Sequence, residues 1–114
     1  MQDRYTVDSI AAIATAAGSS GIGIVRVSGS EACQIVDQIF RSGKDGQSEK
    51  RLTQVPTHTV HYGFIQDGDQ WIDEVLVVVM RGPRSDTAED TVEIDCHGGV
   101  LMVRRILETV LHAG

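Results

Sequence analysis

The chain has 114 residues, 41% of them hydrophobic, and 16 acidic against 10 basic residues give it a net charge of −6. This length suits one domain with its own core and excludes two full domains. The negative balance, with basic residues scattered along the chain, excludes a surface built to grip a phosphate backbone, and no apolar run approaches the roughly 18 residues of a membrane span. The N-terminus, MQDRYTVDSI, has no basic stretch followed by an apolar one, so a cytosolic location is expected. Cys33 and Cys96 are too few for a disulfide framework or a zinc site and form no CxxC pair; both read as reduced and structural.

After a polar lead, Asp8 to Ala14 (DSIAAIA) predicts a strand that runs into the flexible Gly18-Ser19-Ser20-Gly21 loop. Gly23 to Ser28 (GIVRVS) is rich in β-branched residues, and a period of two sets Ile22, Ile24 and Arg26 on one face with Val25 and Val27 on the other. Ser28 and Glu31 have capping-box spacing before Ala32, Ile35, Val36, Ile39 and Phe40, the stripe of an amphipathic helix. Arg41 to Val55 mixes Gly, Ser and charge and is expected to be a mobile surface connection.

Thr57 to Gln66 and Trp71 to Met80 flank an Asp-Gly turn and predict two long antiparallel strands. The run Val75 to Val79 (VLVVV) is apolar on both faces, which predicts a central strand. A charged loop, Arg81 to Asp90, leads into Thr91 to Cys96, where Val92, Ile94 and Cys96 point one way and Glu93 and Asp95 the other. His97-Gly98-Gly99 opens a second helix with Val103, Ile106, Leu107, Val110 and Leu111 on its apolar stripe and Gly114 as its C-cap. The order ββαβββα lacks strict β–α alternation, so the expected class is α+β, a mixed and mainly antiparallel sheet packed with two helices.

Few residues suggest chemistry. The Gly18 to Gly23 segment precedes a strand, whereas a dinucleotide fingerprint opens a helix, and no lysine between Met1 and Phe40 can complete a P-loop. The glycines stand either as a flexible hairpin loop or as a place where a flat ligand approaches the backbone. Glu93 and Asp95 lie on one strand face about 6.5–7 Å apart. Asp95 reads as part of a solvated face, and Glu93 sits deeper in the strand. His97 either helps the free N–H groups of the following helix hold an anion or acts as a plain cap.

Arg26 is the odd residue in an apolar strand and must find an anion or reach water, which makes it the best single candidate for a ligand contact. His58 and His61 are expected on opposite strand faces, unable to share a metal, and His112 is a cation at a helix end. No metal site and no catalytic residue is assigned.

Several segments together resemble the N-terminal domain of the MnmE (TrmE) family of tRNA modification GTPases: DSIAAIATAAG (Asp8 to Gly18), GIGIVRVSG (Gly21 to Gly29), IDEVLVVVMRGPRS (Ile72 to Ser85) and AEDTVEIDCHGG (Ala88 to Gly99), followed by LETVLHAG. The resemblance spans nearly the whole chain in the family's order. It implies one TrmE-type domain over residues 1–114, a fragment of a protein several times longer, with a fold related to the folate-binding domain of glycine-cleavage T-proteins. It implies a homodimer that holds 5-formyltetrahydrofolate or a related reduced folate, the family's folate-contacting arginine matching Arg26 and its glutamate Glu93. A third contact, a lysine, falls beyond Gly114.

The missing parts would be a helical domain and a potassium-dependent GTPase domain that takes GTP, Mg and K. The whole protein would work with a flavin-containing partner on C5 of the wobble uridine of tRNA. Two departures from the family pattern, Ala16-Ala17-Gly18 for Pro-Pro-Gly and Ser85 to Asp90 for S-x-T-G-E-D, alter loop stiffness. The competing class is a structural module that pairs subunits and has no functional ligand site.

Overall fold

The computed structural model describes residues 10–15, 21–82 and 89–114. Its element order is β1 (Ile10–Thr15), β2 (Ile22–Ser28), α1 (Ala32–Asp37), β3 (Phe40–Ser42), β4 (Thr59–Asp67), β5 (Gln70–Met80), β6 (Thr91–His97) and α2 (Val100–Ala113), with one 3₁₀ turn at Leu52–Gln54. The strands form one six-stranded sheet in the order β1-β2-β6-β5-β4-β3, every neighbouring pair antiparallel. This is the expected α+β class. Outside the described residues lie the polar lead with Asp8 and Ser9, the first half of the Gly18 to Gly23 loop, both family departures apart from Glu89 and Asp90, and the middle of the loop from Arg81 to Asp90.

Alternation along each strand sends one set of side chains to a shared core. Val25 and Val27 on β2, Val92, Ile94 and Cys96 on β6, Val75, Val77 and Val79 on β5 and Ile65 on β4 are all buried. Against them pack Val36 and its neighbours on α1 and Val103, Ile106 and Val110 on α2. Both cysteines are free and buried, as expected. Burial holds their thiols in the protonated form and pushes Cys96 up to about 11.

Four expectations need correction. The apolar stripe from Ala32 to Phe40 is not one helix: α1 stops at Asp37, and Phe40 begins a short edge strand paired with Ile65. Ile39 and Phe40 are buried as the stripe implies, but cross-strand pairing with β4 outweighs the helical period. The Ser28–Glu31 capping box does not form, because Ser28 is held in the sheet opposite Thr91 and α1 starts after Glu31 without a side-chain cap.

Nor is the segment from Arg41 to Val55 a loose connection. The Asp37 carboxylate accepts the N–H groups of Leu52 (2.7 Å) and Thr53 (3.2 Å), and the Arg81 guanidinium donates to the carbonyls of Leu52 (2.7 Å) and Val55 (2.8 Å). These contacts satisfy both ends of the 3₁₀ turn and let Leu52 enter the core. Finally, Leu111 is 55% exposed, because the last turn of α2 seats Ala113 and Gly114 instead; a Cβ on Gly114 would lie 2.8 Å from Ile35.

β4 is fixed by two local features. Gly63 lies so close to β3 that a Cβ there would fall 2.2 Å from the Arg41 carbonyl and 2.7 Å from the Phe40 ring. His61 is buried, its Nε2–H donating to Thr59 Oγ1 at 2.8 Å while Nδ1 accepts from Lys50 Nζ at 3.4 Å. That tautomer follows because the Thr59 hydroxyl is itself a donor, to the Pro56 carbonyl. His58 precedes β4 in a left-handed conformation (φ 62°) and is exposed, so the two histidines belong to different surroundings.

Two measurements follow. Gly63→Ala is expected to lower stability by about 1–3 kcal/mol as β3 is pushed off the sheet, read by denaturant unfolding. Burial, and then the Lys50 charge, hold the His61 pKa below its ordinary value, so the unfolded chain takes up the proton first. Stability is therefore expected to decline as pH drops through about 6.5 and to level off below the folded value, a component absent from His61→Gln.

Candidate ligand site on the uncovered sheet face

Both helices lie on the same side of the sheet, so the opposite face is left open among the described residues. Three adjacent strands build its centre. Reading across from β2 to β6 to β5, Arg26 faces Glu93 and Glu93 faces Val78; one step along, Ile24 faces Asp95 and Asp95 faces Leu76. Asp95 is thus flanked by apolar side chains on both β2 and β5 and Glu93 on the β5 side alone, and Val60 and Tyr62 of β4 continue the apolar side. Ile22 (63% exposed) and Leu76 (44%) show how much apolar surface is uncovered. β5 is interior, as the VLVVV run predicts, but only Val75, Val77 and Val79 are buried in the core; the second apolar face is this open one.

Arg26 and Glu93, singled out separately in the sequence, meet here as a cross-strand pair. The guanidinium donates to Glu93 Oε2 from Nη2 at 2.6 Å and from Nε at 3.1 Å. The Arg26 side chain is 39% exposed and that of Glu93 16%. Asp95 is two residues along the same strand. It departs from the solvated reading: Oδ1 is buried without a hydrogen-bond partner among the described residues, and burial, followed by the Glu93 charge, raises its pKa.

His97 ends β6 and is not the plain cap of α2. Its Nδ1–H donates to Asp73 Oδ1 at 2.7 Å and its backbone N–H to Asp73 Oδ2 at 2.9 Å, while Gly99, not His97, stands at the α2 N-cap. Asp73 was not singled out from the sequence, yet a signal existed. It shares the core-facing parity of Val75 and Val77, where a carboxylate must find donors. His112 lies in the last turn of α2, and Gly114 caps that helix as expected.

The glycine loop touches the same region at its one described end. Gly21 has φ +106°, and a Cβ on Gly98 would lie 2.3 Å from the Gly21 carbonyl oxygen, so the entry to β2 and the turn between β6 and α2 abut through two glycines. The strand that follows the loop is β2 rather than a helix, which is not the geometry of a dinucleotide cradle. A separate cleft of about 620 Å³ opens at the β3 edge beside Asp37, Arg41, Lys50 and Arg51. Its lining is of mixed charge, Asp37 is already bound to the 3₁₀ turn, and neither Arg26 nor Glu93 reaches it.

Among the described residues no three His, Cys, Asp or Glu side chains gather in a group able to hold a metal ion. No described helix is long and apolar enough to cross a membrane. The open face therefore carries a guanidinium–carboxylate pair and a second carboxyl among exposed apolar side chains.

The class of protein follows from comparison. The family model described as "GTP-binding protein TrmE N-terminus" matches residues 9–114, and the chain belongs to that family. Three relatives, each named "tRNA modification GTPase MnmE", show how close the similarity is. Those of Lachnoclostridium phytofermentans, Enterococcus faecalis and Bacillus cereus are 51%, 50% and 52% identical to it over 94% of the chain. The chain spans 23%, 22% and 22% of those relatives.

The exposure of Arg26 sets the strength of its pair. An ion pair this open to water is screened, so a double-mutant cycle with Arg26→Met and Glu93→Gln is expected to return a coupling below about 1 kcal/mol in urea unfolding.

Proposed function

We propose that this chain is the folate-binding, dimerising N-terminal domain of a tRNA modification GTPase, one unit over residues 1–114. It takes 5-formyltetrahydrofolate or a related reduced folate through Arg26 and Glu93. The observation that carries this reading is the Arg26–Glu93 pair at the centre of an uncovered apolar sheet face. The residues fit the group. A carboxylate accepts the adjacent N–H donors on a pterin edge, a guanidinium meets a carbonyl or a glutamate-tail carboxylate, and Ile24, Leu76 and Val78 offer apolar surface to the ring. Because the ion pair is weak, opening it to admit a ligand costs little.

The family name supports the wider proposal. In the whole protein this domain serves a GTP hydrolase whose GTP, Mg and K belong to other domains. That protein works with a flavin-containing partner at C5 of the wobble uridine of tRNA, in the cytoplasm, and tRNA meets the full complex rather than this domain. A second reading, a pairing module without a ligand, is favoured by the same exposed Ile22, Val60, Tyr62 and Leu76, which a second copy would cover.

Calorimetric titration with 5-formyltetrahydrofolate separates the two. Arg26→Ala and Glu93→Ala are each expected to weaken binding by about 1.5–3 kcal/mol, roughly tenfold or more. Unchanged affinity in both variants, or no binding by the parent chain beside a dimer in sedimentation equilibrium, supports the pairing module instead.

A further inference from the structure

Asp95 is where the electrostatics of the open face do not close. Directly across from it stand Ile24 on β2 and Leu76 on β5, neither able to hydrogen-bond. The charged or titratable side chains that face it are Glu93 and His97 on its own strand, Arg26 diagonally on β2 and Glu74 diagonally on β5. Each already has a partner. Arg26 holds Glu93, Asp73 holds His97, and Glu74 accepts from the Tyr62 hydroxyl at 2.6 Å.

Among the described residues nothing donates to the buried Asp95 Oδ1, yet the residue as a whole is partly exposed on the face beside Glu93. A sealed carboxylate oxygen between two apolar side chains, next to an anion and without a cation of its own, is a poor place for a negative charge. Both features favour the protonated carboxyl over the charged one.

We propose that Asp95 is a specificity-determining residue of the Arg26–Glu93 site, acting as a neutral carboxylic acid that donates its hydroxyl proton to an acceptor atom of the bound ring. The inference rests on the folate reading of that site. Two carboxylates side by side can only accept. They would suit a ring edge bearing donors alone and would repel the carbonyl oxygens and ring nitrogens that alternate with N–H groups in a pterin. One charged and one neutral carboxyl, held apart by different neighbours, read donor and acceptor together. The arrangement also leaves the site with no net charge: Arg26 balances Glu93, and Asp95 adds none.

The test is calorimetry of 5-formyltetrahydrofolate binding to the parent protein, Asp95→Asn, Asp95→Ala and Arg26→Ala between about pH 4.5 and about pH 8, with an NMR titration of the Asp95 carboxyl carbon in the absence of ligand. The parent affinity is expected to fall as pH rises through the Asp95 midpoint, which NMR places above the ordinary value of about 3.9. Asp95→Asn, a permanent donor of the same shape, is expected to keep the low-pH affinity within about threefold and to lose that pH dependence, while Asp95→Ala binds about tenfold more weakly at low pH.

A carboxyl midpoint at or below about 3.9, or an Asn variant that follows the parent pH curve, overturns the proposal. So does an Asn variant that binds more than about tenfold more weakly at every pH, since the charged form would then be the working one. Failure of the parent to bind, or Arg26→Ala binding as well as the parent, removes the folate reading and this one with it. Binding that needs Arg26 but carries none of the Asp95 signatures removes this inference alone.

Discussion

The antiparallel pairing of β2 with β6 is the constraint on which the rest depends. These two strands meet over seven consecutive residue pairs, from Ile22 opposite His97 to Ser28 opposite Thr91. Because side chains alternate, that register sends Val25, Val27, Val92 and Ile94 to the helices and puts Arg26 against Glu93 on the other side. A slip by one residue would bury the charges and expose the valines, so the hydrophobic core and the candidate site are specified by one and the same alignment. The ion pair does little to hold the strands together. Burial of four large β-branched side chains in the same rows does that, and the pair inherits its geometry.

Much of this was legible in the residues. Period-two runs located β2 and β6, the Asp-Gly dipeptide between two long runs located the β4–β5 hairpin, and alternation in GIVRVS and TVEIDC set Arg26 opposite in facing to Val25 and Val27 and Glu93 opposite to Val92 and Ile94. Their partnership was not legible, because a strand pattern says which face a residue occupies and not which strand lies beside it. Sixty-seven positions separate the two. The family resemblance named both residues, but it did not show them touching.

What escaped the sequence shares a cause. Phe40 obeys a helical spacing and sits in a strand; Leu52 stands in a polar stretch and is buried. In each case a long-range partner overrides the local signal: β4 captures Phe40, and Asp37 with Arg81 hold the turn that carries Leu52. The misreading of Asp95 belongs here too. Exposure is the usual fate of an aspartate, and only the placement of Ile24 and Leu76 across from it makes its surroundings apolar.

The placement of β6 also governs the order in which the molecule can assemble. β4 and β5 are joined by a two-residue turn at Gly68 and Asp69 and can zip together as soon as both exist. β2 has no inner neighbour until the chain has been made past Thr91, since the strand that fills the gap between β2 and β5 comes last. On a ribosome, the β1–β2 pair and the β4–β5 hairpin would emerge as two separate halves, each with an unsatisfied strand edge turned toward the vacancy between them. Closure by β6 joins distant parts of the chain, the kind of step that slows folding, and it is the same event that first brings Arg26 and Glu93 together.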